Sequence, residues 1–357
     1  MASEREQILE EIGRHKKEIS SFLDSFLEEW EEEGTQGRWR KDVRKRLQEM
    51  VKEGKMVRGT LVVIINKFYN GDHHDSAVKA GAAVELLHTG ILMHDDIIDK
   101  DLRRRGMKTF QKQYRDLADK EGIEERKHFG ISMALAGGDV SFFLGQNVLS
   151  SLQVPQNSRS SIQELVFREF SNVGLAEQVD IYSGYSSDEP SEDEILDLYR
   201  TKTARYTFSL PMKAGAIIAD VDRSERKKLY RIGEKIGTIF QLKDDELGLF
   251  GDEEKIGEDI GSDLDEDKKT LHRLKLLERL SDEKEEEVRE MLGTDMTDEE
   301  REQIKDLIRE KNVKSDVHDR MEELAEEASE MIEELDLDKD SRDFLRKTTI
   351  FCLEREK

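Results

Sequence analysis

The stretch Ala82-Ala83-Val84-Glu85-Leu86-Leu87-His88-Thr89-Gly90-Ile91-Leu92-Met93-His94-Asp95-Asp96-Ile97-Ile98-Asp99 decides how this chain is to be understood. It is a strongly apolar helix that ends in carboxylates. Small residues at its start (Ala77, Ala80, Gly81, Ala82, Ala83) let neighbouring helices approach closely. Positions i and i+4 share a helical face, so Asp95 and Asp99 point together, with Asp96 close by. Three crowded carboxylates repel one another and stay ionised comfortably only beside a cation. Hard oxygen donors favour Mg²⁺, which shares its carboxylates with substrate phosphates. In a chain with 82 Asp and Glu residues, an isolated Asp-Asp-x-x-Asp is as readily surface charge. The apolar flank from Ala82 to Met93 argues against a solvated face.

A second pair, Asp244-Asp245, ends another apolar run, Ile239-Phe240-Gln241-Leu242-Lys243. Two such helices facing each other would bracket a diphosphate through bridging metal. A diphosphate also needs cationic partners. Lys55 and Arg58 stand three apart at a helix start, and Arg103-Arg104-Arg105 follows the aspartate helix. Lys202-Thr203-Ala204 lies in an expected helix, and His88 sits two turns before the aspartates. A His-Asp metal pair built on His73, His74, His88 and His94 is disfavoured. The histidines downstream (His128, His272, His318) lie in polar contexts.

Composition narrows the class. Only Pro155, Pro190 and Pro211 interrupt the chain, which permits long helices. Hydrophobic residues at 36% against 39% charged suit amphipathic helices around a core. No segment alternates apolar and polar residues for long, so an all-α fold without sheet is expected. A formal net charge of −24 repels phosphate backbones and argues against nucleic acid as a partner. Cys352 is the single cysteine, so no intramolecular disulfide forms. The N-terminus is polar and no apolar run is long enough to span a bilayer, so a soluble cytoplasmic protein is expected.

Helical periodicity covers residues 4–33, 56–70, 76–99, 126–150, 158–182, 191–219 and 222–249. A basic segment, Arg38 to Arg46, lies between the first two. Residues 251–269 read as a loop, and the acidic part from 281 to 357 keeps helical spacing.

Taken in order, these pieces resemble the trans-isoprenyl diphosphate synthases, the polyprenyl synthetases that make farnesyl, geranylgeranyl and longer diphosphates. The matching residues are Gly54-Lys55-x-x-Arg58, Glu85-Leu86-Leu87-His88 and Asp95-Asp96-Ile97-Ile98-Asp99. They continue with Arg104-Arg105-Gly106, Gly138-Asp139, Lys202-Thr203-Ala204 and Phe240-Gln241-x-x-Asp244-Asp245. The resemblance runs from about residue 50 to 275 and is specific as a set. It implies one isoprenoid synthase domain over residues 1–357, a helical bundle around a deep apolar cavity, and a homodimer. It implies that Asp95, Asp96 and Asp99, and Asp244 with Asp245, bind Mg²⁺. It implies that Arg104, Lys202 and Gln241 hold an allylic diphosphate, with Thr203 beside the reacting centre. Lys55, Arg58, His88 and Arg105 would hold isopentenyl diphosphate.

The chain departs from the family pattern in three places. Gly248 stands where the second motif carries its last carboxylate. Gly257-Glu258 replaces a Gly-Lys whose lysine contacts the allylic diphosphate, a role then open to Lys255 or Lys268. Gly59 stands where proline is common, and this should affect only the turn. Two other functions share parts of the pattern and stand as alternatives. A class I terpene cyclase lacks the isopentenyl-binding set found here, and a non-catalytic subunit of a heteromeric prenyl synthase typically loses carboxylates from the first motif, which this chain keeps, although Gly248 and Glu258 leave that reading open.

Product length should follow the helix bearing Asp95, along Ile91, Gly90, Leu87, Val84 and Ala83. Gly90 leaves space there, with Phe142 and Phe143 as a floor deeper down, which favours a geranylgeranyl or somewhat longer product.

Overall fold

The computed structural model describes residues 4–30, 37–104, 106–251 and 260–356. In chain order the elements are α1 (Glu4–Glu28), α2 (Gly37–Glu53), α3 (Val57–Phe68), α4 (His74–Ile98), β1 (Arg103–Arg104), β2 (Met107–Lys108), α5 (Phe110–Glu121), α6 (Arg126–Ser150) and α7 (Gln156–Tyr185). They continue with α8 (Glu192–Tyr199), a π-helical stretch (Arg200–Ser209), α9 (Leu210–Ile218), α10 (Arg223–Phe250), α11 (Ser262–Asp265), α12 (Leu271–Leu277), α13 (Asp282–Met291), α14 (Asp298–Glu310), α15 (Val313–Glu333) and α16 (Lys339–Glu354). The chain divides into two compact units: Met1–Val166 with Pro211–Val221, and Phe167–Leu210 with Asp222–Lys357.

In the first unit α4 packs on α6, α3 and α1, and α5 packs on α6. Leu86 and Met93 of α4 are fully buried, as are Val62 to Ile65 of α3. The α3–α4 approach depends on paired glycines. A Cβ at Gly59 would lie 2.8 Å from the Gly81 carbonyl, and one at Gly81 would lie 2.5 Å from that of Gly59. The Gly59 N–H also donates to Glu85 Oε1 at 2.7 Å, a bond that proline cannot make. Gly59 therefore does more than shape a turn: it sets a helix crossing.

The helical class holds, with one correction. Arg103-Arg104 pairs antiparallel with Met107-Lys108, so a two-stranded ribbon follows α4 where no strand was expected. Gly106, at φ 76°, turns it. The basic segment Arg38–Arg46 lies inside α2, which buries Val43, Leu47 and Val51. Arg46 binds Asp42 at 2.9 and 3.0 Å and lies over the Tyr114 ring, whose hydroxyl donates to Asp42 at 2.6 Å.

In the second unit α10 is central, packed on the π-helical stretch, α15, α16 and α8. Ile232, Ile236, Ile239 and Leu242 form its fully buried face. Capping boxes start α8 (Ser191 with Glu194) and α14 (Thr297 with Glu300). The acidic part beyond residue 281 is helical as its spacing requires. Of the expected loop 251–269, residues 252–259 lie outside the described residues; Ser262–Asp265 is a short helix. Among the described residues no helix is long and apolar enough to cross a membrane.

Candidate active site

The first acidic cluster closes α4. Asp99 is the helix C-cap, its N–H bonded to the Asp95 carbonyl at 2.9 Å. Asp95 keeps 21% side-chain exposure, whereas Asp96 is fully buried. Arg104, brought back by the β1 ribbon, clamps both: Nε donates to Asp96 Oδ1 at 2.5 Å and Nη2 to Asp95 Oδ2 at 3.1 Å. Gln111 of α5 donates to the main-chain carbonyls of Asp96 (2.5 Å) and Asp101 (2.8 Å), fixing the end of α4. Burial pushes the Asp96 carboxyl up to about 6, against the pull of Arg104. Burial alone would weaken Arg104's hold on its proton, but the facing carboxylates of Asp96 and Asp95 outweigh it and raise its pKa.

Two turns earlier on α4, His88 meets Arg58 of α3, with Nη1 and Nε2 3.1 Å apart. Guanidinium only donates, so His88 Nε2 accepts. Lys55 is exposed just before α3, where Met56 adopts a left-handed backbone at φ 52°. Arg105 lies outside the described residues. His94 donates to the Leu135 carbonyl at 3.2 Å and stands 3.8 Å from Asp139, which places the Gly138-Asp139 pair on the facing helix α6.

Gly90 does not leave open space. The ring edge of Phe142 lies 2.6 Å from where a Gly90 Cβ would be, and this ring also meets His94 edge-on at 5.3 Å between centroids. The aromatic group that packs on this part of α4 is therefore Phe142, at the level of Gly90. Phe143, 68% exposed, is not part of it.

The second cluster lies on α10. Asp245 is buried, with both oxygens occupied: Tyr199 donates to Oδ2, and Gln241 Nε2 donates to Oδ1 at 2.9 Å. Thr203 Oγ1 in turn donates to Gln241 Oε1 at 2.7 Å, and the Tyr199 hydroxyl accepts from the Leu271 N–H at 3.1 Å. Burial and the nearby charge of Asp263 push the Asp245 carboxyl up to about 8. Asp244 is different: 54% exposed and paired with Arg355, the C-cap of α16. Lys202 pairs with Glu177 at 3.0 Å and with Asp180, both on α7. Lys268 binds Asp263 at 3.0 Å, and the Asp263 carboxylate stands 3.3 Å from where a Gly248 Cβ would lie. The place of the missing side chain at 248 is thus bordered by another carboxylate. Lys255, Gly257 and Glu258 lie outside the described residues.

The structure brings Arg104 to Asp95 and Asp96, Arg58 to His88, and Thr203 and Gln241 to Asp245. Sequence reasoning missed Tyr199, Gln111, Glu177, Asp180 and Arg355. Glu177 and Asp180, one helical turn apart, carried the only spacing signal among them. Among the described residues no three carboxylate, imidazole or thiolate groups already converge as a metal cage. The reachable donors, Asp95 and Asp244, are carboxylates, the donor chemistry that suits Mg²⁺ shared with a phosphate ligand.

Comparison with known proteins agrees with this chemistry. The family model described as polyprenyl synthetase matches residues 40–310. A short chain isoprenyl diphosphate synthase of Methanocaldococcus jannaschii is 30% identical over 67% of this chain and 67% of its own length. A geranylgeranyl diphosphate synthase of Sulfolobus acidocaldarius is 31% identical over 67% of this chain and 68% of its own. The crystal structure of geranylgeranyl pyrophosphate synthase from Corynebacterium glutamicum, complexed with isoprenyl diphosphate and magnesium, superposes with a TM-score of 0.87 at 26% identity, covering 96% of this chain and 99% of that one. The Pyrococcus horikoshii geranylgeranyl pyrophosphate synthetase, at 24% identity and a TM-score of 0.83 over 99% and 100% of the chains, shares the fold. Both aspartate clusters fall inside the matched span, and the chain belongs to the polyprenyl synthetase family of trans-prenyltransferases.

Proposed function

We propose that this chain joins isopentenyl diphosphate to an allylic diphosphate (dimethylallyl, geranyl or farnesyl) with Mg²⁺, giving an all-trans polyprenyl diphosphate of geranylgeranyl length or somewhat longer. One observation carries the assignment of its metal ligands. Each acidic pair is split into a buried carboxylate (Asp96, Asp245) and a reachable one (Asp95, Asp244) that faces a guanidinium. The buried member anchors the cluster; the reachable member, with Asp99 at the first cluster, serves the metal.

When bound, Mg²⁺ would neutralise charge growing on the departing diphosphate. Arg104, Lys202, Gln241 and Lys268 are assigned to the allylic diphosphate, as donors to oxygens whose charge rises when the carbon–oxygen bond breaks. Lys55, Arg58, His88 and Arg105 are assigned to isopentenyl diphosphate. Thr203, held by Gln241, is assigned a place beside the reacting centre. The allylic bond breaks with its electron pair leaving on diphosphate. The isopentenyl double bond attacks the cation, and loss of a proton to the released diphosphate restores a double bond. Cys352, buried with its thiol pushed up to about 12 by desolvation, supports no nucleophilic role.

The Phe142 ring against Gly90 is assigned the floor that limits chain growth. A homodimer is supported by the apolar face that α7 leaves exposed, Leu175, Val179 and Tyr182. Light scattering after size exclusion tests it, and a monomer at micromolar concentration would remove it.

The deciding experiment supplies labelled isopentenyl diphosphate, Mg²⁺ and each allylic starter in turn, then measures product length by chromatography. Elongated product that disappears in Asp95→Ala supports the proposal. No elongation from any starter by folded protein overturns it, and products stopping at farnesyl length overturn the length assignment alone. Phe142→Ala should shift products longer.

A further inference from the structure

The proposed function leaves the end of α16 without a role, yet this is where the second acidic cluster finds its cation. Arg355 follows the last turn of α16, whose Leu345, Thr349 and Cys352 are buried. Its backbone turns to an extended conformation (φ −60°, ψ 145°) and the side chain reaches α10. There the guanidinium lies 3.9 Å from the centroid of the Phe240 ring. Nη2 donates to the Phe240 carbonyl at 3.1 Å and to Asp244 Oδ1. The side chain is 6% exposed, while Asp244 is 54% exposed. The charge pair is lopsided: a sunken cation beneath a carboxylate open to solvent. Arg355 Nε, also buried, has no hydrogen-bond partner. The arginine is thus incompletely satisfied where it rests.

We propose that Arg355 is the resident counter-ion of Asp244, and that a divalent metal loading at Asp244 displaces it and frees the end of α16. This rests on the assignment of Asp244 as a metal ligand. The argument is electrostatic. A guanidinium bonded to a carboxylate lowers the negative potential that attracts a divalent ion, and two cations at one carboxylate repel. Metal therefore takes Asp244 at the expense of the Arg355 contact. Losing it removes the one ion pair that Arg355 makes with α10 and loosens the last turn of α16. Arg355 is a positioning residue in this scheme: it tunes metal affinity from the protein side and transmits loading to the C-terminal helix.

The test uses the full chain, Mn²⁺ and inorganic diphosphate as probes. Free Mn²⁺ is followed by electron paramagnetic resonance in wild type, Arg355→Gln and Asp244→Asn. Removing the competing cation should tighten the class of Mn²⁺ sites that includes Asp244 by about three- to thirty-fold, the range of a partly buried ion pair. Asp244→Asn should abolish that class. In wild type, amide exchange over 350–356 should quicken when Mn²⁺ and diphosphate are added, a readout that does not depend on how well any variant folds. Unchanged Mn²⁺ affinity in Arg355→Gln, with exchange in α16 indifferent to metal, overturns the inference and leaves Asp244 as a ligand. Wild-type Mn²⁺ affinity in Asp244→Asn removes the ligand assignment itself, and the inference with it.

Discussion

The two acidic clusters solve one problem with different parts. The first ends α4 and the second lies in the last two turns of α10; each buries one aspartate and leaves one reachable, and each reachable aspartate faces an arginine. At α4 the arginine is local: Arg104 lies 9 residues beyond Asp95 and returns on a two-stranded ribbon. At α10 it is remote: Arg355 lies 111 residues beyond Asp244. The buried members differ too. Asp96 is held by a charge, Asp245 by the neutral donors of Tyr199 and Gln241. The first cluster is a closed local unit, whereas the second is assembled from α8, α10 and the end of α16.

If both reachable aspartates serve metal, their loss should be comparable and severe. Asp95→Asn and Asp244→Asn are each expected to lower kcat by about two to three orders of magnitude, the scale of losing one transition-state charge contact. Steady-state assays at saturating Mg²⁺ check this, and near-normal turnover in either variant would break the parallel.

The anchors should separate the clusters by stability. Tyr199→Phe strands both Asp245 Oδ2 and the Leu271 N–H, and should cost about 1–3 kcal/mol per buried group left unpaired. Gln111→Ala at the first cluster removes two donors to carbonyls and should cost less, because water reaches Asp101. Urea melts of the metal-free protein decide the order.

The anchors also differ in pH response. Both carboxyls are raised above the unfolded value of about 3.9, to about 6 for Asp96 and about 8 for Asp245. A raised acid binds more protons when folded, so its stabilisation is complete below the unfolded pKa and is lost as pH rises through the folded one. In chelator, stability should fall between pH 4 and 6 through Asp96 and continue to fall toward pH 8 through Asp245. Asp245→Asn should flatten the upper part only. A rise in wild-type stability from pH 6 to 8 that Asp245→Asn leaves in place would count against this electrostatic account.

The smallest expected effect concerns the missing carboxylate. Gly248→Asp would place a second negative charge beside Asp263, so it should lower thermal stability by about 1 kcal/mol without improving metal affinity. A clear gain in Mn²⁺ affinity would show that the site lacks a ligand at 248.

The same contrast explains how much was legible in the sequence. α4 was readable because its apolar run and its carboxylates are contiguous. Arg104, Lys202, Thr203 and Gln241 stood in a recognisable order. The ribbon at 103–108 was hidden because strand pairing there involves only four residues, most of them charged. Gly90 misled because a glycine says nothing about which ring from another helix fills its space. Arg355 had no spacing rule to point to it, since neither helical nor strand period links it to Asp244.

The π-helical stretch Arg200–Ser209 has a consequence for how this site tolerates change. Each turn closed through i→i+5 rather than i→i+4 takes up an added residue, so the stretch departs from the phase that α8 sets. Lys202 and Thr203 ride on that shift while Tyr199 stays before it. Deleting one residue there would let an ordinary helix form and would move Lys202 or Thr203 off the backbone position that the wide turn gives it. The segment is therefore more exposed to changes in length than to changes in side chain.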